Sequence, residues 1–195
     1  MPVTYTNCKG RTYYLCRGVT KTGKPRYYFS REPKGEPVEE MPEGYEIRES
    51  VNGVVSLAKK RPTQLSLREI EAVEAAVERH PKAENYRVDA KQDRITVYER
   101  VGPGAGDLIA DFERAGLMIS GRADRLREIL DRRARFTPVM RFTLVDAERR
   151  RFGVQRMLYR GGRERWIDLT ERGPVDKLAR RLIPLLGTEQ FFELI

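Results

Sequence analysis

TYYLCRGVTKTGKPRYYFSRE, residues 12–32, reads as two strands joined by a turn. Aromatic and β-branched residues fill Thr12 to Val19 and Arg26 to Arg31, as strands require. Between them, Lys21-Thr22-Gly23-Lys24-Pro25 supplies a glycine for the bend and a proline that stiffens its exit. Residues 1–31 carry seven cations (Lys9, Arg11, Arg17, Lys21, Lys24, Arg26 and Arg31) and no Asp or Glu. The whole chain is only +9, so most of its excess charge is gathered in this stretch, interleaved with tyrosines.

Outward from this hairpin the charge inverts. Residues 32–49 hold seven glutamates against Lys34 and Arg48, a net of −5, over a loop marked by Pro33, Gly35 and Pro37. Strands at Tyr45 to Ser50 and Val54 to Lys59 flank Asn52-Gly53, the strongest short-range hairpin signal. Ser66 and Glu69 form a capping box that starts a helix running to His80, where Pro81 stops it. Leu67, Ile70, Val73, Ala76 and Val77 make its expected buried stripe, and Glu71, Glu74 and Glu78 its outer face. A further hairpin spans Tyr86 to Glu99.

Three Gly and one Pro between Val101 and Gly106 predict a linker, dividing the chain into domains at 1–100 and 107–195. The second half predicts helices at 107–115 and 123–135, the latter burying Leu126, Ile129 and Leu130. A three-stranded meander follows over 139–169, turning at 146–151 and at Gly161-Gly162, and two helices end the chain. Arginines 132, 133 and 135 stand where a helix dipole welcomes cations. The predicted class is α+β: an N-terminal antiparallel β-meander with one helix and a hairpin, then C-terminal helices with a three-stranded antiparallel meander.

Charge directs the functional reading. A pI near 9.7 favours polyanionic partners, although 29 Arg against 9 Lys also fits a GC-rich genome. Residues 122–165 form a second basic block, net +8. Phosphates need spaced cations and unpaired bases stack on aromatic faces. The candidate nucleic-acid-binding residues are therefore Arg17, Lys21, Lys24 and Arg26 with Tyr14 and Tyr28, and Arg149, Arg150, Arg151 and Arg163 at two later turns. Either DNA or RNA is the expected partner, and a protein partner of the hairpin aromatics and the Glu-rich loop is the alternative. An ordinary sheet with core aromatics and solvated cations accounts for the same residues.

Enzymatic readings are thinner. Asp89-Ala90-Lys91 follows a strand, as the Asp-x-Lys element of metal-dependent nucleases does, with Asp107 or Asp111 as further carboxylates. Cys8, Cys16 and the lone His80 complete neither a zinc set nor a nucleophile–base pair, and no phosphate-binding glycine loop is present. His80 is expected as a helix-terminal cation, and Cys16 as a packed thiol rather than half of a Cys8–Cys16 bridge. No cofactor or metal is expected. No apolar run approaches the roughly 18 residues of a membrane span.

The basic sheet followed by one helix is broadly similar, in topology alone, to arm-type DNA-binding domains of phage integrases. YTNCKG (residues 5–10), TKTGKPRYYFS (20–30) and PEGYEI (42–47) resemble the opening of a family of uncharacterised bacterial proteins, and PVMRFTL (138–144) with FFEL (191–194) resembles its end. That resemblance implies a bacterial, cytoplasmic protein and brings no activity with it.

Overall fold

The computed structural model describes residues 1–117, 122–160 and 163–194, with backbone alone at 159, 160, 163 and 164. The chain is α+β with antiparallel sheets, and it divides into two units. Unit 1 is Met1–Arg61 with Ala105–Ala134, and unit 2 is Pro62–Gly104 with Arg135–Ile195.

In unit 1 the strands β1 (Thr4–Thr6), β2 (Thr12–Val19) and β3 (Pro25–Ser30) lie in the order β1-β2-β3. A two-residue strand, β4 (Glu36–Pro37), pairs with β2 beyond the end of β1. Strands β5 (Tyr45–Glu49) and β6 (Val55–Lys59) form the expected second hairpin. Its turn puts Gly53 at φ +74°, and a Cβ there would also strike the Asn7 amide at 2.9 Å. Asn7 is buried and fastens this turn to the loop before β2: Nδ2 donates to the Gly53 carbonyl, and Oδ1 accepts the Lys9 and Arg11 N–H groups. The Glu49 carboxylate accepts from the Tyr5 hydroxyl (2.9 Å) and the Cys8 N–H (2.8 Å). Burial opposes ionisation of Glu49, but hydrogen bonding from the Cys8 thiol, the Cys8 N–H and the Tyr5 hydroxyl outweighs it and holds the carboxyl below its usual range.

Helices α1 (Leu67–Glu78) and α4 (Val175–Leu182) cover one face of a five-stranded sheet in unit 2. Its order is β11-β10-β9-β8-β7, from β7 (Tyr86–Lys91) and β8 (Arg94–Arg100) to β9 (Phe136–Asp146), β10 (Arg151–Arg160) and β11 (Arg163–Gly173). Period-two alternation turns Ile95, Val97, Met140, Phe142, Leu144, Phe152 and Val154 toward the helices, where all are buried. Val73, Ala76 and Val77 of α1 and Leu178, Ala179 and Leu182 of α4 fill the other side.

Several expectations are corrected. The glycine-rich segment is not a domain boundary between 1–100 and 107–195, because β8 pairs with β9 and the Val101 N–H bonds the Arg135 carbonyl at 2.8 Å. The chain leaves the sheet there and returns beside the same strand. Helix α2 (Ala105–Arg114) starts inside the expected linker, and α3 (Ala123–Arg133) buries none of its residues fully, with Ile129 41% exposed. Leu67, at the first position of α1, is 76% exposed rather than in its buried stripe. The Gly161-Gly162 turn lies outside the described residues. Cys8 is exposed, Cys16 is buried, and both thiols are free.

Candidate nucleic-acid interface

The β2–β3 turn is built by its own polar groups. Thr20 and Lys24 close it (N–H to carbonyl, 2.8 Å), the Gly23 N–H bonds the Thr20 carbonyl, and the Lys24 N–H bonds the Thr20 hydroxyl. Gly23 sits at φ +78°, the left-handed conformation that glycine enters without steric cost. Register then distributes the side chains: Arg17 stands opposite Tyr27, and Gly18 opposite Arg26. Successive strand residues point to opposite faces, so Arg17, Val19 and Tyr27 share one face, and Tyr14, Cys16, Arg26 and Tyr28 share the other. The two arginines thus lie on opposite faces, with Lys21 and Lys24 in the turn between the strands.

Arg17, Lys21, Lys24 and Arg26 are all exposed. Among the described residues none of the four has a carboxylate oxygen within ion-pair distance. Four glutamates of the acidic loop are engaged elsewhere: Glu32 holds Lys34 at 3.1 Å, Glu46 holds Arg48 at 3.0 Å, Glu39 meets the N-terminal amine at 3.5 Å, and Glu49 holds Tyr5 and Cys8. Glu36 is the acidic neighbour, opposite Arg17 in register where β4 meets β2. Of the other basic residues, Lys9 donates to the Ala134 carbonyl just past the end of α3.

The aromatic half of the expected site is less available. Tyr28 lies across Gly18, whose Cβ would come within 3.2 Å of the ring, and its hydroxyl bonds the Lys34 carbonyl. Tyr27 packs against Tyr45, ring centroids 6.5 Å apart, and Tyr14 is half-buried. These rings serve the sheet before they serve a ligand.

The second basic cluster divides residue by residue. Arg150 is a structural residue: its guanidinium grips both carboxylate oxygens of Glu69, Nε to Oε1 at 2.9 Å, and donates to the Gln64 carbonyl at 3.0 Å. Glu69 Oε2 also accepts the Ser66 N–H at 2.8 Å, so one carboxylate caps α1 and anchors the β9–β10 turn. Burial works against the charged form of Glu69, but its bonds to Arg150 and Ser66 prevail and hold it below the usual carboxylate range. Arg149 reaches Asp146 at 4.0 Å, and Arg151 donates to the Arg172 carbonyl at 3.3 Å. The Arg163 side chain lies outside the described residues.

Two groupings in unit 2 escape a reading from sequence alone. On the sheet face away from the helices, Arg141 lies 4.1 Å over the Trp166 ring and bonds Gln155, whose amide donates to Asp168 at 2.6 Å. Burial, with Arg94 nearby, lowers the pKa of the Arg141 guanidinium. The row depends on Arg141, Gln155 and Asp168 standing abreast on three strands. The second is a cleft of about 370 Å³ whose lining includes His80, Asn85, Tyr86, Glu99 and Thr188. Tyr86 donates to Glu99 at 2.9 Å, and burial followed by that carboxylate raises its phenol pKa far above normal. His80 follows Arg79, the C-cap of α1; its Nδ1 lies 3.1 Å from the Lys82 N and its Nε2 3.1 Å from the Leu186 carbonyl oxygen. Asp89 and Lys91 form an ion pair of 2.6 Å, and Asp107 and Asp111 belong to the other unit. Among the described residues no three His, Cys, Asp or Glu side chains gather as a metal site.

Comparison with family models, curated proteins and solved structures finds no significant match. Among the described residues no helix is long and apolar enough to cross a membrane.

Proposed function

We propose that this chain is a non-enzymatic nucleic-acid-binding protein whose contact element is the β2–β3 hairpin. One observation carries the reading: four exposed cations within ten residues, Arg17, Lys21, Lys24 and Arg26, have no carboxylate partner among the described residues. A single exposed ion pair is worth little, but a cluster of like charges without counter-charges raises the local concentration of a polyanion. Each phosphate neutralised releases condensed counterions, so such a surface binds nucleic acid steeply at low salt. This partner goes with a cytoplasmic location in the bacterial cell that the family resemblance implies.

Mobility-shift titration of the full chain with single- and double-stranded DNA and RNA tests the reading. Binding that weakens steeply as salt rises, and that falls about tenfold or more in Lys21→Ala/Lys24→Ala/Arg26→Ala, is the expected result. Absence of binding to all four nucleic acids at low salt overturns it.

A further inference from the structure

Resting on that reading, we infer that the tip of the β2–β3 hairpin enters the groove of a DNA duplex as a two-stranded ribbon. Strand β1 covers the outer edge of β2 only at Thr12–Tyr14, and β4 only at Cys16 and Arg17. Past Arg17, among the described residues, Gly18 and Val19 pair only with Arg26 and Pro25. From that point the hairpin is a ribbon of two strands. Val19 is 74% exposed, and residues 21–26 are exposed throughout.

Its cations are arranged around this ribbon rather than along one side. Arg17, at the base where the ribbon begins, projects from one face and Arg26 from the other, and Lys21 and Lys24 occupy the tip. A ligand lying flat against either face meets one arginine and misses its counterpart. A groove supplies a phosphate strand on each side and a floor beneath the tip. Two strands stand about 4.8 Å apart, and the major groove of B-form DNA, about 12 Å wide, admits such a ribbon. The major groove of duplex RNA is too narrow and deep for it. A single strand is held by aromatic faces that stack on its bases, yet Tyr28 is laid across Gly18 with its hydroxyl on Lys34, and Tyr27 is against Tyr45. Glu36, the nearest carboxylate in register, sits at the base of the ribbon beside Arg17 and away from the tip.

Fluorescence anisotropy of the full chain tests this with a DNA duplex of about 20 base pairs, either of its single strands, and an RNA duplex of the same sequence, at about 50 mM salt. The duplex DNA is expected to bind about tenfold tighter than the others, and Arg17→Ala and Arg26→Ala each to weaken it about three- to tenfold with thermal melting unchanged. Single-stranded DNA or duplex RNA binding as tightly as duplex DNA overturns the inference and leaves nucleic-acid binding standing. So does a loss confined to one arginine variant, because the ligand then lies against one face. Absence of binding to every probe refutes the functional reading itself, and the groove with it.

Discussion

The β2–β3 turn and the β9–β10 turn look alike in sequence: each is a hairpin end crowded with cations. The fold treats them in opposite ways. At the first, Lys21, Lys24 and Arg26 reach solvent with no carboxylate partner among the described residues. At the second, Arg150 is bound on both oxygens of Glu69 and on the Gln64 carbonyl, and Arg149 leans toward Asp146. Cation density in a sequence therefore measures charge, whereas availability is decided by a carboxylate that can stand 81 residues away.

That contrast can be broken by substitution. The largest expected effect is on stability, at Glu69→Ala, which strips both the Arg150 pair and the bond to the Ser66 N–H. Charge-assisted hydrogen bonds and a lost helix cap together predict about 2–3 kcal/mol, read by urea denaturation, with nucleic-acid affinity unchanged. Next, Lys21→Ala/Lys24→Ala should weaken nucleic-acid binding about tenfold while altering stability by less than about 0.5 kcal/mol, since both side chains are exposed and unpaired. Arg150→Lys should then cost about 1 kcal/mol, because an ammonium cannot reproduce the two-pronged grip. Smallest is an acid effect. Glu49 and Glu69 both ionise more readily in the folded chain than when unfolded, so their contribution is complete above the ordinary carboxylate range, near pH 4.5, and fades as pH falls below it. Arg150→Ala should shallow that loss in a pH series of thermal melts.

The same contrast explains which parts of the molecule could be read from sequence. Elements announced by neighbouring residues were legible: the Gly23 turn, the Asn52-Gly53 hairpin and the helix started at Ser66. Features set by distant partners were not. Strands β1 and β4 are too short to show a period, and they exist because β2 offers its edge. The Val101 to Gly106 segment reads as a linker between domains, and no local residue says that β9 will return to pair with β8. Leu126, Ile129 and Leu130 have helical spacing, which fixes a face without supplying anything to bury it. At the candidate site, the cations of the hairpin could be named beforehand, but the split of Arg17 from Arg26 required the strand register. Arg150 was miscounted as available because Glu69, already visible as a capping residue, had a second role.

The salt dependence of DNA-duplex affinity tests the central claim most directly, comparing the unaltered chain with Lys21→Ala/Lys24→Ala and with Arg150→Ala. Losing two phosphate contacts should reduce the slope of log affinity against log salt by about 2 in the hairpin variant, and Arg150→Ala should leave it unchanged. Equal slopes in all three proteins, or a reduction in the Arg150 variant alone, would contradict the account.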